Sequence, residues 1–402
     1  MLEERIFEYF VLEIINPYLK TDTLQFAYKP HSGCSNSIFL LRRTIQHFNR
    51  NGSNVFIASL DATKAFDKIN HYKLFSTLYN YGLPDIIINT IVNWYTKLFV
   101  RVKWGNSLSS PFNVKSGVRQ GGVLSGPFFN LYVNIILTKL RSSNLGCHLK
   151  NMYTGSLMYA DDLILLSSSL LELQQMLNIC FTTCTSLAIT FNFNKSKTLI
   201  IGPSHLSISS HLILGHTPLP WTKNLDYLGI TISSGPTFNI DLNNTRRKFF
   251  RTVNQILSKC TFTSDLVKLS LLESYALPVL MYAVESLNLP TLDLITINSW
   301  WNSVYRKIFH YHKWESVRLL ISYLNRLDFL HLCNLRTVSF TQKMLTNNNP
   351  PNQILTRLVI ISIIHMCPPM NISIFSKSTT VPLLIILNII NSLFIMTSTS
   401  ML

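Results

Sequence analysis

Residues 157–166 read LMYADDLILL, and this stretch decides the fold. Two adjacent carboxylates, Asp161 and Asp162, interrupt an otherwise apolar run, and burying a bare charge is costly unless it is paired or holds a metal. The flanks predict two short strands, Leu157–Ala160 and Leu163–Leu166, with the Asp pair at the turn between them. Such a hairpin presents carboxylates from a rigid sheet, as a divalent-metal site requires. The alternative is an Asp-Asp hairpin turn without function.

A third carboxylate follows an apolar run upstream. Val55–Leu60 is rich in strand-forming residues and ends at Asp61. Beyond it, apolar residues recur three to four positions apart as far as Ile69, which predicts a helix. Asp61 would then lie at the C-terminal end of a strand, where open α/β sheets place their ligands. Three carboxylates from adjacent strands would hold two Mg²⁺ ions roughly 3.5–4 Å apart. Asp67 is the competing candidate, interpreted here as structural or solvent-exposed.

The composition favours a nucleic-acid partner and an intracellular setting. Lys and Arg outnumber Asp and Glu by 35 to 19, an excess that suits phosphate binding, although a cationic membrane-surface protein would also show it. The seven cysteines are scattered and form neither a disulfide framework nor a Cys/His zinc cluster, so a reducing compartment is expected. The first residues, Met1–Tyr9, are charged rather than apolar, which does not indicate a signal peptide.

Six segments, in this order, resemble the reverse transcriptase of a non-LTR (LINE-type) retrotransposon over roughly residues 5–320. They are QFAYKPHSG (25–33), LDATKAFD (60–67), GVRQGGVLSGPFFNLYVN (117–134), YADD (159–162), FNFNKSKTLI (191–200) and LDYLGITI (225–232), similar to the fingers segment and motifs A to E. The resemblance implies an α+β, right-hand polymerase fold with a palm, partial fingers and a helical thumb. It also implies RNA-directed DNA polymerisation by two-metal nucleotidyl transfer.

The same resemblance implies the cofactor and the partners. Two Mg²⁺ ions, with Mn²⁺ as an alternative, would be held by Asp61, Asp161 and Asp162, which would serve as both metal ligands and catalytic residues. The expected partners are an RNA template, a DNA primer and deoxynucleoside triphosphates. A membrane partner is not expected.

Further roles follow from the resemblance, residue by residue. Phe66 stands where related polymerases have a steric gate against the ribose 2′-OH, and a core phenylalanine on an amphipathic helix is the alternative interpretation. Gln120 would contact the incoming nucleotide or the template base. Arg119 would contact a phosphate, or else be an ordinary surface arginine. Lys197 would protonate the pyrophosphate leaving group, or else be an ordinary surface lysine. Lys29 replaces a triphosphate-binding Arg, and lysine cannot make the bidentate fork of a guanidinium.

The motif B segment combines a glycine-rich loop with a predicted helix. Gly117, Gly121 and Gly122 allow the backbone to approach a nucleotide closely. Ser125 is predicted to cap the helix that follows. Gly126 stands where the family usually has Pro, which places the start of this helix in question.

The domain boundaries are predicted from composition and from the order of the motifs. Residues 1–50 are expected to form partial fingers, 51–235 the palm with inserted finger elements, and 236–345 a helical, basic, thumb-like region. In that last region Pro278 should end or kink a helix. The basic cluster there would contact a duplex backbone or be a solvated helix face; it comprises Arg246, Arg247, Lys248 and Arg251.

Residues 346–402 form an unassigned apolar tail. It contains no acidic residue, and its most apolar run, Val381–Met396, is short for a membrane span. Translated non-coding sequence, a disordered or peripheral tail and a membrane anchor are the three interpretations.

The chain is expected to be truncated within the fingers, without the endonuclease domain of a full element. Two alternatives to an active polymerase stay open. One is a catalytically inactive relic that only binds nucleic acid. The other is a maturase-type splicing cofactor, which would require a basic domain after the thumb that the sequence does not show.

Overall fold

The computed structural model describes residues 2–206 and 210–346, and the chain divides into two compact units at Asp241 and Leu242. The predicted apolar run at Val381–Met396 lies outside the described residues. Each unit is considered by itself below.

Six α-helices are described in the first unit. Their bounds are α1 Leu2–Ile15, α2 Cys34–Arg50, α3 His71–Asn80, α4 Asp85–Thr96, α5 Ser125–Ser142 and α6 Leu170–Ser186. Three of them, α2, α5 and α6, pack against its central sheet. A 3₁₀ turn, Asn16–Tyr18, continues α1. The helical spacing of apolar residues in the sequence predicts helices over Leu2–Leu19, Ser35–Asn49 and Leu170–Phe181, and α1, α2 and α6 confirm them. One face of α2 is apolar and contributes Ile38, Leu41 and Ile45 to the core.

Fifteen strands complete the described part of the first unit, most of them short. Their bounds are β1 Val55–Leu60, β2 Phe99–Val100, β3 Lys103–Trp104, β4 Ser107–Leu108, β5 Phe112–Asn113, β6 His148–Leu149, β7 Met152–Tyr153, β8 Ser156–Tyr159, β9 Asp162–Ser167, β10 Lys197–Ile201, β11 Leu212–Leu214, β12 Thr217–Leu219, β13 Asn224–Tyr227, β14 Ile230–Ser233 and β15 Asn239–Ile240.

The central sheet has four antiparallel strands in the order β10-β1-β9-β8. Its two middle strands are apolar along most of their length, and the side chains of Leu163–Leu166 are all buried. Such a run is stable only where both faces of the sheet are covered, and here α2, α5 and α6 pack against the sheet. The sheet is therefore a rigid base for any residue at the ends of its strands.

The helix predicted after Asp61 does not form. Residues 63–68 are turns, with Lys64 in the left-handed region at φ +48°. The carbonyls of Phe66 and Ile69, which a helix would use internally, instead accept hydrogen bonds from the amides of Val118 (2.9 Å) and Gly117 (2.8 Å). The prediction was wrong because these long-range bonds outweigh the local spacing. The next helix, α3, begins only at His71.

The glycine at position 117 is required by this packing. Its φ is +88°, and a Cβ atom there would lie 2.9 Å from both the Cα and the carbonyl oxygen of Asp67. Neither contact is tolerable for a larger residue, because both partners are backbone atoms.

The second unit, in its described part, is built from helices. They are α7 Asn243–Lys259, α8 Asp265–Tyr275, α9 Leu277–Leu280, α10 Val284–Leu287, α11 Thr291–Ile308, α12 Arg318–Tyr323 and α13 Phe329–Thr346. Their core includes Phe249, Trp301, Tyr305 and Phe329. Pro278 lies in the first turn of α9, directly after α8 ends, so the predicted helix break is confirmed.

One segment of this unit, Asp265–Leu287, is long and apolar enough by composition to cross a membrane. It is not one continuous helix, because it is interrupted near Pro278 and at Ala283, whose φ is +57°. Leu269 and Leu272 of the segment lie in the core of the unit.

Candidate active site

Strand pairing places two of the predicted acids at the same end of the two middle strands of the central sheet. Leu60 of β1 pairs with Leu163 of β9. Asp61 follows the first of these leucines and Asp162 precedes the second, so both acids lie at the same end of neighbouring antiparallel strands. Asp161 lies in the turn between β8 and β9 beside Ala160, whose φ is +53°. The predicted hairpin is confirmed, with Asp162 as the first residue of β9 rather than part of the turn.

The side chain of a buried glutamine, Gln25, holds this turn through hydrogen bonds. The side-chain oxygen of Gln25 accepts hydrogen bonds from the amides of Ala160 (3.3 Å) and Ala27 (3.2 Å). The adjoining backbone runs along β8, with the Phe26 amide donating to the Met158 carbonyl at 2.9 Å. The fingers-like segment thus supports the acidic hairpin, a role that its sequence did not reveal.

Asp61 and Asp162, but not Asp161, line a cleft of about 260 Å³. Four separate segments contribute to its walls, and the lining residues are Ser59, Asp61, Asp162, Asn194, Lys195, Lys197, Leu225 and Asp226. The predicted catalytic residue Lys197 is the first residue of β10 and pairs with Ser59 of β1. The structure therefore places Lys197 in the same cleft as Asp61 and Asp162.

Lys195 is a site residue that sequence reasoning missed. Its Nζ lies 3.8 Å from Oδ2 of Asp61. The backbone around Asp61 is held by the same segment, because its amide donates to the Ser196 hydroxyl (3.3 Å) and its carbonyl accepts from the Asn192 amide (2.8 Å). The Lys195 side chain is 69% exposed, so this ion pair is worth little in stability and is open to exchange with a ligand.

The electrostatics of the cleft favour a bound cation. Burial raises the pKa of Asp162 to about 6, and the negative charges of Asp161 and Asp61 act in the same direction. Burial also raises the pKa of Asp161, with a further contribution from Asp61. Lys195 partly opposes both shifts. Partly desolvated carboxylates that repel one another are stabilised when a positive charge approaches.

The donor chemistry fits Mg²⁺, a hard cation that prefers carboxylate oxygens. Within the described residues, no three His, Cys, Asp or Glu side chains are gathered closely enough to form an assembled metal-binding group. The fit therefore depends on the oxygen donors and on the mutual repulsion of Asp61, Asp161 and Asp162.

The candidate gate residue, Phe66, lies in an aromatic stack. Its ring is parallel to that of Phe129 on α5, with centroids 4.4 Å apart, and meets the Tyr28 ring edge-on at 6.0 Å. Phe66 is half-buried, so one part of the ring remains accessible. The two neighbours fix the orientation of this ring.

Tyr28 also explains the unusual Gly126. A Cβ atom on Gly126 would lie 2.4 Å from Cδ1 of Tyr28, so the ring occupies the space that a side chain would need. The helix α5 begins at Ser125, with Gly126 and Pro127 in its first turn. The predicted N-cap was wrong by one residue: the cap is Leu124, and the Ser125 hydroxyl donates to the Arg119 carbonyl at 2.5 Å.

The loop formed by residues 117–122, the glycine loop, is held by the N-terminal helix. Glu8 of α1 is buried, and its carboxylate accepts a hydrogen bond from the Val123 amide. Arg119 forms an ion pair with Glu4 at 3.0 Å. Gln120 is exposed and donates to the Asp67 carboxylate at 3.1 Å.

Lys29, the candidate triphosphate contact, is directed towards the protein. Its Nζ donates to the Asp22 carbonyl at 2.5 Å. Burial lowers the pKa of this lysine to about 8.

The predicted nucleic-acid-binding cations lie on α7 of the second unit, where all four side chains are exposed; they are Arg246, Arg247, Lys248 and Arg251. The helix packs through Phe249 and Val253. The Arg246 guanidinium lies 5.9 Å from the centroid of the Trp300 ring.

Comparison with known proteins identifies a family to which the sequence is similar. Residues 2–232 match the family model described as "Reverse transcriptase (RNA-dependent DNA polymerase)". A Pol polyprotein from the type-2 retrotransposable element R2DM of Drosophila melanogaster is 27% identical over 228 residues, which is 55% of this chain and 22% of that protein. A Pol polyprotein from the type-1 element R2 of Popillia japonica is 25% identical over 296 residues, covering 68% of this chain and 46% of that protein.

The chain thus spans less than half the length of these relatives. Among solved structures, apo telomerase from Candida tropicalis is similar, with 14% identity and a TM-score of 0.47, covering 89% of this chain and 58% of that one.

Proposed function

The chain belongs to the reverse transcriptase (RNA-dependent DNA polymerase) family, and from this membership we propose that it extends a DNA primer along an RNA template. The expected relationship to non-LTR retrotransposons and the right-hand polymerase fold are confirmed by the family match and by the R2 relatives. Reverse transcriptases generally use divalent metal ions.

The observation that carries the proposal is the pairing of β1 with β9, which puts Asp61 and Asp162 at one end of a rigid sheet with Asp161 in the adjoining turn. These three acids would hold two Mg²⁺ ions, with Mn²⁺ as the alternative. Metal bound there supplies Lewis acidity to the reacting phosphate and to the attacking hydroxyl.

The lysines of the cleft supply positive charge to the triphosphate. Lys195 and Lys197 line the same cleft as Asp61 and Asp162, so an arriving triphosphate can compete with Asp61 for the Lys195 ammonium. Lys197 would donate a proton to the departing pyrophosphate, as general-acid catalysis requires.

The sugar and the base of the nucleotide would be read by residues outside the carboxylate cleft. Phe66, held against Phe129, would exclude the 2′-OH that distinguishes RNA from DNA. Gln120 lies on the glycine loop, where it would contact the nucleotide or the template base after releasing Asp67. Lys29 would reach the triphosphate only after leaving the Asp22 carbonyl.

The two units would have different roles in the proposed reaction. We assign residues 1–50 to partial fingers, 51–235 to the palm and 236–345 to a thumb-like region. The exposed cations of α7 would bind the phosphate backbone of the template-primer, an interaction that needs charge more than exact placement.

The test is extension of an oligo(dT) primer on a poly(rA) template by the full chain with Mg²⁺. Extension above the level of an Asp61→Asn variant is the expected result, with Asp67→Asn as the matched control for loss of a nearby acid. If the full chain binds the template-primer but does not extend it, the chain is a nucleic-acid-binding relic and the proposal fails.

A further inference from the structure

A second cleft lies within the helical unit, walled by α11, α12 and the start of α13. Its volume is about 420 Å³, in the range of small-molecule sites. The residues on which the argument rests are Asn298, Asn302, Arg306, Arg318, Arg326 and His331. None of them belongs to the carboxylate cleft or to the cations of α7.

One wall is a polar stripe along α11. Asn298, Asn302 and Arg306 are spaced four residues apart and therefore share one face of the helix. Trp301 and Tyr305 are buried in the core of the unit. The side-chain oxygens of both asparagines are buried and accept no hydrogen bond from the described residues. Buried amide oxygens without partners are rare, because each forfeits the hydrogen bond that water would provide.

Two of the three arginines around the cleft are oriented by a hydrogen bond from a single nitrogen, Nε. Nε of Arg306 donates to the Glu315 carbonyl at 2.8 Å, and Nε of Arg326 donates to the Glu273 carboxylate at 2.9 Å. Both bonds leave the terminal nitrogens outside the contact. A guanidinium held in this way is suited to bidentate phosphate binding by its other donors.

The charge balance of the lining favours an anion. Arg306, Arg318 and Arg326 face a single lining carboxylate, Asp328, whose Oδ1 lies 2.7 Å from Nδ1 of His331. The neighbouring Glu273 offsets part of the charge of Arg326. The cleft therefore joins a positively charged rim to two amide groups.

We infer that this cleft binds one nucleotide, with its phosphate on the arginines and the edge of its base on Asn298 and Asn302. The side-chain N–H groups of these asparagines can donate to acceptor atoms of a base edge, such as N7 of adenine, and their enclosed oxygens would have to turn towards the cleft to accept in return. A free nucleotide and a single nucleotide of an RNA or DNA strand present the same chemistry to the cleft. The binding is separate from polymerisation and does not depend on the carboxylate cleft.

The test is calorimetric titration of the full chain with 5′-AMP. Arg318→Gln, which removes an exposed cation, and Asn302→Leu, which removes an amide of similar size, should each weaken AMP binding by about tenfold, the loss of one good hydrogen bond to the ligand. Lys343→Gln removes an exposed cation elsewhere in the same unit and should leave the affinity unchanged. Asp161→Asn should also leave it unchanged, which separates this inference from the proposed polymerase activity.

A second set of ligands distinguishes the source of the nucleotide. The same losses with a 5′-phosphorylated tetra-adenylate, but with no measurable binding of AMP, would support a site for a nucleotide within a strand. Equal affinity for inorganic phosphate and AMP would overturn the inference, as would AMP binding that Arg318→Gln leaves unchanged. Because Arg318 is exposed, this variant remains informative even if Asn302→Leu fails to fold.

Discussion

The two compact units hold their charged side chains in opposite ways. In the first unit, Asp61 and Asp162 are short side chains at one end of paired strands, partly buried and supported by further backbone contacts. In the second unit, the cations of α7 are long, exposed side chains on one helix. The difference shows that charged side chains are used in two distinct ways in this chain. The acids depend on position and cannot replace one another, whereas the cations act through their number and are screened by salt.

The largest effect is expected from the acids. Asp162→Asn should reduce primer extension by on the order of a hundredfold or more, because the metals are expected to contribute several kcal/mol to the transition state. Binding of the template-primer should persist, since the change removes a negative charge. Extension rates and binding by fluorescence anisotropy measure the two effects.

Asp67→Asn is the control, because asparagine retains the oxygen that accepts from Gln120. A loss of extension as large as that of Asp162→Asn would make Asp67 the catalytic acid and contradict the present assignment.

The position of the Tyr28 ring predicts that a larger residue at position 126 lowers the stability of the fold. Gly126→Ala should lower the free energy of unfolding by about 1–3 kcal/mol, the usual cost of overpacking, although alanine is the better helix former. The reason is the contact between the new Cβ atom and the Tyr28 ring. Chemical denaturation of the variant measures the change.

Tyr28→Ala in the same chain should restore most of the loss, because it removes the ring that the alanine meets. A double-mutant cycle gives the coupling energy. Additive effects of the two substitutions would show that the ring and the glycine are independent.

A smaller effect is expected at the gate. Phe66→Val should raise the use of ribonucleotides relative to deoxynucleotides by about tenfold, on the scale of discrimination that an apolar contact provides. Ratios of kcat/KM for the two nucleotides measure it. Phe66 also packs on Phe129, so a lower free energy of unfolding with an unchanged ratio would identify it as a core residue.

The smallest effect per substitution is expected for the exposed cations of α7, on the affinity for the template-primer. Arg247→Gln and Arg251→Gln should each weaken template-primer binding a few-fold and lower the slope of log affinity against log salt by about one. Lys343→Gln, elsewhere in the same unit, should leave the slope unchanged. A large, salt-independent loss of template-primer affinity from either substitution would show that these arginines, like the acids of the first unit, depend on exact position.

The sequence was a good guide where local patterns decide the structure. The acidic hairpin follows from the apolar runs on either side of a two-residue turn, α6 from the helical spacing of its apolar residues, and β1 from the strand-forming run before Asp61. The same reasoning failed where distant segments meet. The spacing after Asp61 favours a helix, but the amides of Gly117 and Val118 take the carbonyls that it would use.

The missed residues have the same explanation. Lys195 is an ordinary lysine in the sequence, and its position beside Asp61 follows from the pairing of β10 with β1. Gly126 was visible only as a departure from the family pattern, because Tyr28, which requires it, lies far away in the chain.

The turns that carry Phe66 also have a consequence for the order of folding. Their carbonyls are held by amides about fifty residues further along the chain, and contacts of such high sequence separation form slowly because a long loop must close first. The ring of Phe66 would therefore reach its final position only after the segment around Val118 has docked. Selectivity for the sugar would then be among the last properties that the nascent domain acquires, later than the sheet that carries its acids.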